Sequence, residues 1–205
     1  MTRVQSLRTR GVPNYFGEQR FGHQGANVER ARAMFAGKLN TRDRTLRGIY
    51  LSSARAFLFN QVLAQRVRAD NWDAGLEGEA WLLDGSHSFF IAEHMDATLK
   101  ARLLARDIHP SGPLWGQGEA VPQGEVRQME AEVGSRHADL AAGLVAAGLR
   151  QERRALRLFP QDLTVEWIDT VSLRVGFQLP PGSYATVVLR ELVDYRVATQ
   201  IVDED

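Results

Sequence analysis

The chain has 205 residues, enough for one domain or two small ones, and with 44% hydrophobic and 24% charged residues its composition is that of a globular protein. It contains no cysteine, which excludes disulfides, thiol chemistry and cysteine-based zinc sites. The five histidines lack the close spacing of a metal-binding pair, so we interpret them as surface residues and predict no metal site. No apolar run approaches the ~20 residues that span a bilayer, and no secretory signal is visible, which together favour a cytoplasmic protein without a membrane partner.

Charge is distributed unevenly along the chain, although its net value is zero. Residues 1–70 hold 13 basic and 4 acidic side chains, a net charge of +9, and the remaining 135 residues carry −9. Arginine outnumbers lysine 23 to 2, and arginine suits bidentate contact with phosphate. A GC-rich genome would explain the arginine excess but not the separation of charge, which favours a polyanion-binding surface in the first part of the chain.

The first distinctive segment is the loop GVPNYFGEQRFG, residues 11–22, which opens with a Pro-Asn turn. The rings of Tyr15, Phe16 and Phe21 can stack on bases, at about 1–3 kcal/mol per base. Arg20 can bind a phosphate or a carboxylate. The alternative is that the rings anchor the loop in the core; we favour it for Phe16 and Phe21 and leave both interpretations open for Tyr15.

Two helices are predicted next, separated by a polar basic connector at residues 40–48. ANVERARAMFAG predicts a short helix with Asn27 as its N-cap and Gly37 closing it. Ser52 is the predicted N-cap of the second helix, whose apolar residues recur at helical spacing and predict a core-facing stripe. The stripe comprises Leu58, Phe59, Val62, Leu63 and Val67, and the arginines predicted to lie off it are Arg55, Arg66 and Arg68.

The middle of the chain mixes strands, helices and a long loop. Residues 79–92 have β-prone segments on both sides of Asp84-Gly85, which predicts a hairpin. A helix is predicted after it, ending before Pro110. The Gly- and Pro-rich segment His109–Gly124 is predicted to be a loop, followed by helical sequence that is broken at Gly134.

The last third changes character. LTVEWI and VSLRVGFQL predict two strands, and a Pro-Pro-Gly turn leads from the second into a helix with Ser183 as its N-cap. The apolar face of the second strand needs covering elements, and the sequence offers few partner strands nearby. Tyr184 lies at the first turn of the helix, where it either contacts a ligand or, as we favour from the residues alone, packs in the core.

Motifs of several common enzyme classes are absent from the 205 residues. There is no phosphate-binding G-x-x-x-x-G-K-[ST] loop, no G-x-G-x-x-G after a strand, no H-E-x-x-H and no G-x-S-x-G. Spacing alone nominates no catalytic carboxylate among the 25 acids.

Three segments, GVPNYFGEQRFG, LSSARAFLFNQVLAQR and LFPQDL…LPPGSYATVVLREL, together resemble the tRNA pseudouridine synthase D (TruD) family. Their order matches, and the likeness covers nearly the whole chain. Members of that family isomerise uridine 13 of tRNA to pseudouridine, using an aspartate nucleophile on a base flipped out of its stack. The resemblance therefore implies an isomerase that acts on tRNA without metal or organic cofactor.

The resemblance also implies the fold class α/β (α+β), with a TRUD domain inserted into a catalytic domain. Residues 1–10 are then a remnant of the catalytic domain and residues 11–158 the TRUD domain. Residues 159–205 are the C-terminal strand-strand-helix part of the catalytic domain.

Candidate site residues follow from the loop, the basic first part and the resemblance together. Tyr184 occupies the position at which the family keeps an aromatic ring against the target base. The predicted substrate-binding residues are Tyr184, Tyr15, Arg20 and Asn14, and the predicted contacts with the RNA backbone are Arg42, Arg44, Arg47 and Arg55.

One departure from the family is large. The nucleophilic aspartate of the family lies in a G-x-K-D-x-x-A-x-T-x-Q motif upstream of the loop, and this sequence lacks both that motif and the upstream G-N-x-F segment. We therefore expect no catalytic residue in this chain, no activity of the isolated chain, and a start inside a longer protein. Three hypotheses stay open: a truncated TruD enzyme, which we favour; one chain of a split enzyme whose second chain supplies the aspartate; or a non-catalytic tRNA-binding module.

Overall fold

The chain folds into helices packed on small antiparallel sheets, which confirms the mixed α/β (α+β) class. A computed structural model describes residues 2–92 and 94–194. Two short 3-10 helices, Glu18–Phe21 and His23–Gly25, lie in the first loop. The α-helices in the described residues are α1 (Arg3–Arg10), α2 (Ala26–Phe35), α3 (Arg44–Arg68), α4 (Ala97–Leu104), α5 (Gly124–Arg136), α6 (Ala138–Ala146) and α7 (Ala185–Leu192).

The strands within these residues form three sheets in which all neighbours run antiparallel. The largest has the order β3-β2-β4-β5, and the others are the pairs β1-β6 and β7-β8. The strands are β1 (Val12–Pro13), β2 (Ala80–Leu83), β3 (Phe89–Ile91), β4 (Ile108–Leu114), β5 (Glu152–Ala155), β6 (Arg157–Leu158), β7 (Gln161–Trp167) and β8 (Leu173–Gln178).

Helix α3 is the spine of the molecule, 25 residues and therefore about 38 Å long. Four residues of its apolar stripe are buried as predicted, while Val67 at the end of the stripe is half-buried. Leu58 and Val62 pack against residues of α2, α5 and α6. The predicted N-cap at Ser52 is wrong, because the helix is capped nine residues earlier. Asp43 is the N-cap and accepts a 2.7 Å hydrogen bond from the Thr45 N–H, so part of the predicted connector is helical.

The predicted loop over residues 109–124 is wrong in its first part, which is the buried central strand β4. The strand pairs with β2 on one side and β5 on the other. Gly112 lies under α3, and a Cβ there would come within 3.0 Å of the Phe59 ring. Glycine therefore marks a close helix–sheet approach here rather than a turn.

Predicted helix boundaries need further corrections. Helix α2 is preceded by Gly25 in the left-handed conformation rather than capped by Asn27, although Gly37 does follow its end with φ +70°. The break between α5 and α6 lies at His137, while Gly134 stays helical. Tyr184, rather than Ser183, is the N-cap of α7.

The predicted hairpin of residues 79–92 is confirmed, and the two strands predicted in the last third are present as β7 and β8. Strands β2 and β3 pair across the turn at Gly85, whose φ is +63°. In the described residues β7 and β8 pair only with each other. An apolar cluster of α1 and α7 residues, including Leu7 and Val188, packs against partly buried residues of this hairpin such as Phe177. The domain division at 1–10, 11–158 and 159–205 stays a prediction, and residues 195–205 lie outside the described part.

Arg66, predicted to lie off the apolar stripe of α3, and His109, predicted to be a surface residue, are both buried. The guanidinium of Arg66 is 1% exposed and donates a 2.9 Å hydrogen bond to the Glu79 carboxylate. His109, 5% exposed, accepts at Nδ1 from Arg157 Nε at 2.9 Å, so its Nε2–H faces Asp84 Oδ1 at 2.9 Å. Burial lowers the pKa of His109. The sequence pattern did not identify Glu79 as the partner of Arg66, or Asp84 and Arg157 as the partners of His109. These partners come from other segments of the chain.

Candidate functional site

The loop of residues 11–22 is fixed to the body of the protein at several points. Strand β1 pairs with β6, and Gly11, with φ +80°, sits so close to the Leu158 carbonyl that a Cβ would come within 2.6 Å of it. The side chain of Asn60 on α3 clamps Phe16, accepting from its N–H at 2.9 Å and donating to its carbonyl at 3.0 Å. Helix α3 therefore sets the position of the Phe16 ring.

The Phe16 ring lies at the centre of a group of side chains from distant parts of the chain. Its centroid is 5.5 Å from that of Phe59 and 6.1 Å from that of Tyr184, both edge to face. Gly17 lies against Tyr184, because a Cβ at this glycine would come within 2.8 Å of the ring. Because Gly17 has no side chain, the Tyr184 ring can lie close to the loop and contact the Phe16 ring.

Arg20 joins this group from the 3-10 helix that ends the loop. Its Nε donates a 2.8 Å hydrogen bond to the Tyr184 hydroxyl, and its Nη1 donates to Ser52 Oγ at 2.9 Å. The guanidinium carbon lies 5.8 Å from the Phe16 centroid and 6.0 Å from that of Tyr184. The structure therefore places predicted residues Arg20 and Tyr184 in direct contact.

Asn14 and Arg154 complete the group. Asn14 is 7% exposed; its amide nitrogen donates to the Ala155 carbonyl at 2.9 Å and its Oδ1 accepts from Arg154 Nη2 at 2.7 Å. The Arg154 guanidinium stacks on Phe16 at 4.1 Å from the ring centroid. We call Asn14, Phe16, Arg20, Arg154 and Tyr184 the Phe16 cluster.

Phe16 packs against the buried cluster of Phe59 and Leu156, as favoured from the sequence, whereas Arg154 was not predicted as a site residue. The signal for Arg154 was the Arg153-Arg154 pair, since neighbouring residues in a strand point to opposite faces. Only one of the two can face the core beneath α5, and the other then faces the loop. Which of them does so is visible only in the tertiary structure.

The Phe16 cluster is positively charged and aromatic. None of its five members contacts an aspartate or glutamate among the described residues. Burial, together with the nearby positive charge of Arg20, lowers the pKa of Arg154 to about 10. Such a group can stack a planar ring and bind an anion, but in these residues it holds no carboxylate nucleophile.

Tyr15 lies apart from the cluster. Its ring packs against the apolar group that includes Trp72 and Leu63, and the guanidinium of Arg190 lies 4.8 Å from its centroid. Burial raises the pKa of Tyr15, and the charge of Arg190 opposes that shift. Its predicted contact with substrate stays a prediction.

Three of the predicted backbone-binding arginines form an exposed patch at the start of α3. Arg42, Arg44 and Arg47 are exposed, and none pairs with a carboxylate in residues 2–92 and 94–194. Ser52, which bonds Arg20, follows Arg47 by five residues, or about 8 Å along the helix axis. Arg44 and Arg47 of the patch therefore lie on the same helix as Ser52, which binds Arg20 of the Phe16 cluster.

Arg55 has a different setting. Its guanidinium donates to Glu152 at 3.1 Å, to the carbonyls of Leu114 and Trp115 at 3.0 Å each, and to that of Arg150. Burial lowers its pKa. Most of its N–H groups are thus occupied within the protein, and its contact with RNA stays a prediction.

Between residues 2 and 92 and between 94 and 194, no three His, Asp or Glu side chains are placed to hold a metal ion. A bilayer-spanning helix needs length and apolar character together, and none of the helices described there has both.

Comparison with known proteins gives one consistent family. The model of the family described as tRNA pseudouridine synthase D (TruD) matches residues 27–192. Among curated proteins, tRNA pseudouridine synthase D from Nitrosococcus oceani is 50% identical over 192 residues, covering 93% of this chain and 54% of its own. The Xanthomonas campestris pv. campestris (strain 8004) protein of the same name is 48% identical, covering 98% of this chain and 59% of its own.

A solved structure shares the fold. It is the crystal structure of a Methanosarcina mazei protein assigned to tRNA pseudouridine synthase D, and it matches with a TM-score of 0.68 at 17% identity. The match covers 93% of this chain and 62% of that one. The chain thus spans little more than half the length of the curated relatives that it matches.

Proposed function

The chain belongs to the tRNA pseudouridine synthase D (TruD) family, and we propose that it forms part of an enzyme that isomerises uridine 13 of tRNA to pseudouridine. The match of the family model over residues 27–192 carries this proposal. The geometry supports it, because the Phe16 cluster joins an aromatic ring, a phenol and two guanidinium groups in one place. Those groups suit a flipped nucleotide, which presents a planar base and an anionic backbone.

Tyr184 is the proposed stacking surface for the target base. Its ring is half-buried and held in place by Gly17 on one side and by the hydrogen bond from Arg20 to its hydroxyl. A ring fixed in this way loses little side-chain entropy when a base stacks on it. Asn14 acts less directly, by holding Arg154 against the loop.

The catalytic aspartate of the family belongs to a motif that these 205 residues do not contain. The proposed division of labour is that this chain supplies base stacking and RNA contact, while polypeptide outside it supplies the nucleophile. Incubation of the chain alone with unmodified tRNA, followed by mass spectrometry, should detect no pseudouridine. Addition of a polypeptide carrying the K-D-x-x-A-x-T-x-Q segment should produce pseudouridine at position 13.

The same assay separates the alternatives. Pseudouridine formed by the chain alone would show that a nucleophile within it had been overlooked. If tRNA binds but the added polypeptide never restores activity, the non-catalytic binding module becomes the better description.

Binding of the RNA backbone is assigned to the exposed patch of Arg42, Arg44 and Arg47. Each phosphate contact contributes about 0.7–0.9 to the slope of log affinity against log salt, so the triple alanine variant should flatten that slope by about 2–3. The matched control replaces three exposed arginines outside the patch, and its slope should stay near that of the wild type. The control residues are Arg127, Arg150 and Arg174.

An unchanged slope in the patch variant would contradict the assignment of the patch. Arg55→Ala is a separate variant, because loss of its internal bonds would alter stability as well as any RNA contact.

A further inference from the structure

We infer that Arg154 and Arg20 together form a phosphate-binding site that holds the RNA backbone beside the Tyr184 ring. The inference rests on the proposed function for the identity of the ligand, whereas the anion site itself stands on the geometry of the Phe16 cluster.

Arg154, which is half-buried, lacks the carboxylate partner that two of the buried arginines have. The buried Arg157 has no carboxylate partner among the described residues either, and it donates instead to His109 Nδ1 and to the carbonyls of Leu103 and Ile108. Arg66 pairs with Glu79 at 2.9 Å, and Arg153 pairs with Glu130 at 2.8 Å. Arg154 has no carboxylate partner in the described residues, and burial, helped by the positive charge of Arg20, lowers its pKa. A buried guanidinium beside a second cation is unfavourable unless an anion completes the site.

The guanidinium groups of Arg154 and Arg20 both keep N–H donors without a described acceptor. A guanidinium has five N–H donors. Arg154 donates through Nε to the Asn14 carbonyl at 3.3 Å and through Nη2 to Asn14 Oδ1 at 2.7 Å, and its Nη1 donates to no described residue. Arg20 uses Nε and Nη1, and its Nη2 is likewise without a described acceptor.

The turn before α7 lies beside the free end of Arg154. A Cβ on Gly182 would be 3.7 Å from Nη1, so a glycine here leaves room for no more than a methyl group between the turn and the guanidinium. The turn therefore borders the site without donating to it or accepting from it.

The aromatic rings beside the two guanidinium groups favour the phosphate of a nucleotide over other anions. Both guanidinium groups lie against the Phe16 ring, at 4.1 and 5.8 Å, and Arg20 is bonded to the Tyr184 hydroxyl. The ligand must therefore combine an anion with something that fits beside an aromatic ring. A nucleotide does so, because its base and phosphate share one scaffold, and arginine forks match phosphate oxygens.

In this arrangement Arg154 is a positioning residue. Stacking on Phe16 and two bonds to Asn14 fix the direction of its guanidinium. A phosphate held there would fix the sugar and hence the depth at which the base meets Tyr184.

The first experiment uses inorganic phosphate as the probe. The melting temperature of the full chain is measured in phosphate, chloride and acetate at equal pH and ionic strength. Phosphate should raise it above chloride and acetate in the wild type and in the exposed control Arg174→Gln. Arg154→Gln and Arg20→Gln should weaken phosphate binding by about tenfold or more, as expected for loss of a charged hydrogen bond.

An equal effect of acetate would overturn the phosphate assignment in favour of a carboxylate ligand. An equal phosphate effect in wild type and Arg154→Gln would overturn the site. If Arg154→Gln fails to fold, Arg20→Gln and the charge-conserving Arg154→Lys carry the same comparison, with Arg154→Lys expected to retain part of the binding.

The second experiment uses tRNA and separates this inference from the proposed function. Arg154→Gln should lower the salt slope of tRNA binding by about 0.7–0.9, the contribution of one phosphate. Tight binding of tRNA by Arg154→Gln with an unchanged slope would contradict the site and leave the proposed function intact. A phosphate effect that depends on Arg154, in a chain that does not bind tRNA, would contradict the proposed function and leave the anion site intact.

Discussion

The two faces of strand β5 treat adjacent arginines in opposite ways. Arg153 points to the face beneath α5, where it is 1% exposed and pairs through two N–H groups with Glu130, itself 4% exposed. Arg154 points to the face of the loop, where it meets Asn14 and Phe16 and no carboxylate among the described residues. The first face pairs its guanidinium with a carboxylate, and the second does not.

Arginine on β5 forms an ion pair in the core on one face and, in our proposal, binds a ligand on the other. A buried ion pair contributes little net stability relative to an apolar replacement, but loss of one partner is costly because the other charge stays buried. A buried guanidinium without a carboxylate lowers the stability of the free protein, and the unsatisfied charge is available to a ligand. Substitutions on either face of β5 test this difference.

The largest effect is expected from Arg153→Met. The substitution leaves the Glu130 carboxylate buried without its guanidinium, so the free energy of unfolding should fall by about 3–5 kcal/mol in urea denaturation. The double variant Arg153→Met with Glu130→Leu should recover most of that loss, because no charge is then left unpaired. Equal stability of the single and double variants would show that the pair does not act as a unit.

Tyr184→Ala should affect RNA chemistry more than folding. In single-turnover assays with the aspartate-bearing polypeptide, loss of a stacking surface of about 1–3 kcal/mol should slow the reaction about 5- to 150-fold. Tyr184→Phe keeps the ring and should retain most of the rate, although it loses the hydrogen bond from Arg20. An alanine variant with a lowered melting temperature but normal activity would reduce Tyr184 to a packing residue.

The pH dependence of the Arg153→Met variant should reveal the orphaned carboxylate. Burial raises the pKa of Glu130, against the opposing charge of Arg153, and removal of that charge raises it further. A folded-state pKa above the unfolded value gives stability that is present below the unfolded pKa and lost as pH rises through the folded one.

The stability gap between wild type and Arg153→Met should therefore narrow as pH falls from 7 toward about 4.5. The expected narrowing is about 1.4 kcal/mol for each unit by which the variant raises the pKa further. The double variant that lacks Glu130 is the control and should show no such narrowing in parallel urea titrations.

The smallest effect is expected from Arg154→Met on stability. The variant loses two hydrogen bonds to Asn14 but also removes a buried positive charge beside Arg20, so the free energy of unfolding should change by about 1 kcal/mol. The same urea experiment measures this change. If Arg154→Met lowered the free energy of unfolding as much as Arg153→Met does, the proposed difference between the two faces of β5 would be contradicted.

Local patterns predicted the elements whose cause is local. The apolar spacing from Leu58 to Val67 marked α3, and Asp84-Gly85 marked its hairpin, because periodicity and turn chemistry act within a few residues. The loop motif and the segment around Tyr184 identified the family. Element boundaries were less accurate: Asp43 rather than Ser52 starts α3, since both residues are good N-caps and only the path of the chain selects one.

The candidate site was predicted in part. Tyr184 and Arg20 were identified by residue type and motif, and the structure joins them by a 2.8 Å hydrogen bond. Arg154 could not be identified, because its importance lies in what it contacts and in what it lacks. His109 was misplaced at the surface for the same reason, as Arg157 and Asp84 reach it from other segments.

The sequence by itself determined the long helix α3, the hairpin of residues 79–92, the charge asymmetry and the family, since these depend on composition, short-range periodicity and motif order. Only the tertiary structure decided that the Pro- and Gly-containing β4 is a central strand, that Gly112 admits α3, and which face of β5 receives a carboxylate. The physical reason is that burial and charge pairing depend on residues far apart in the chain, and no local pattern contains the distance between them.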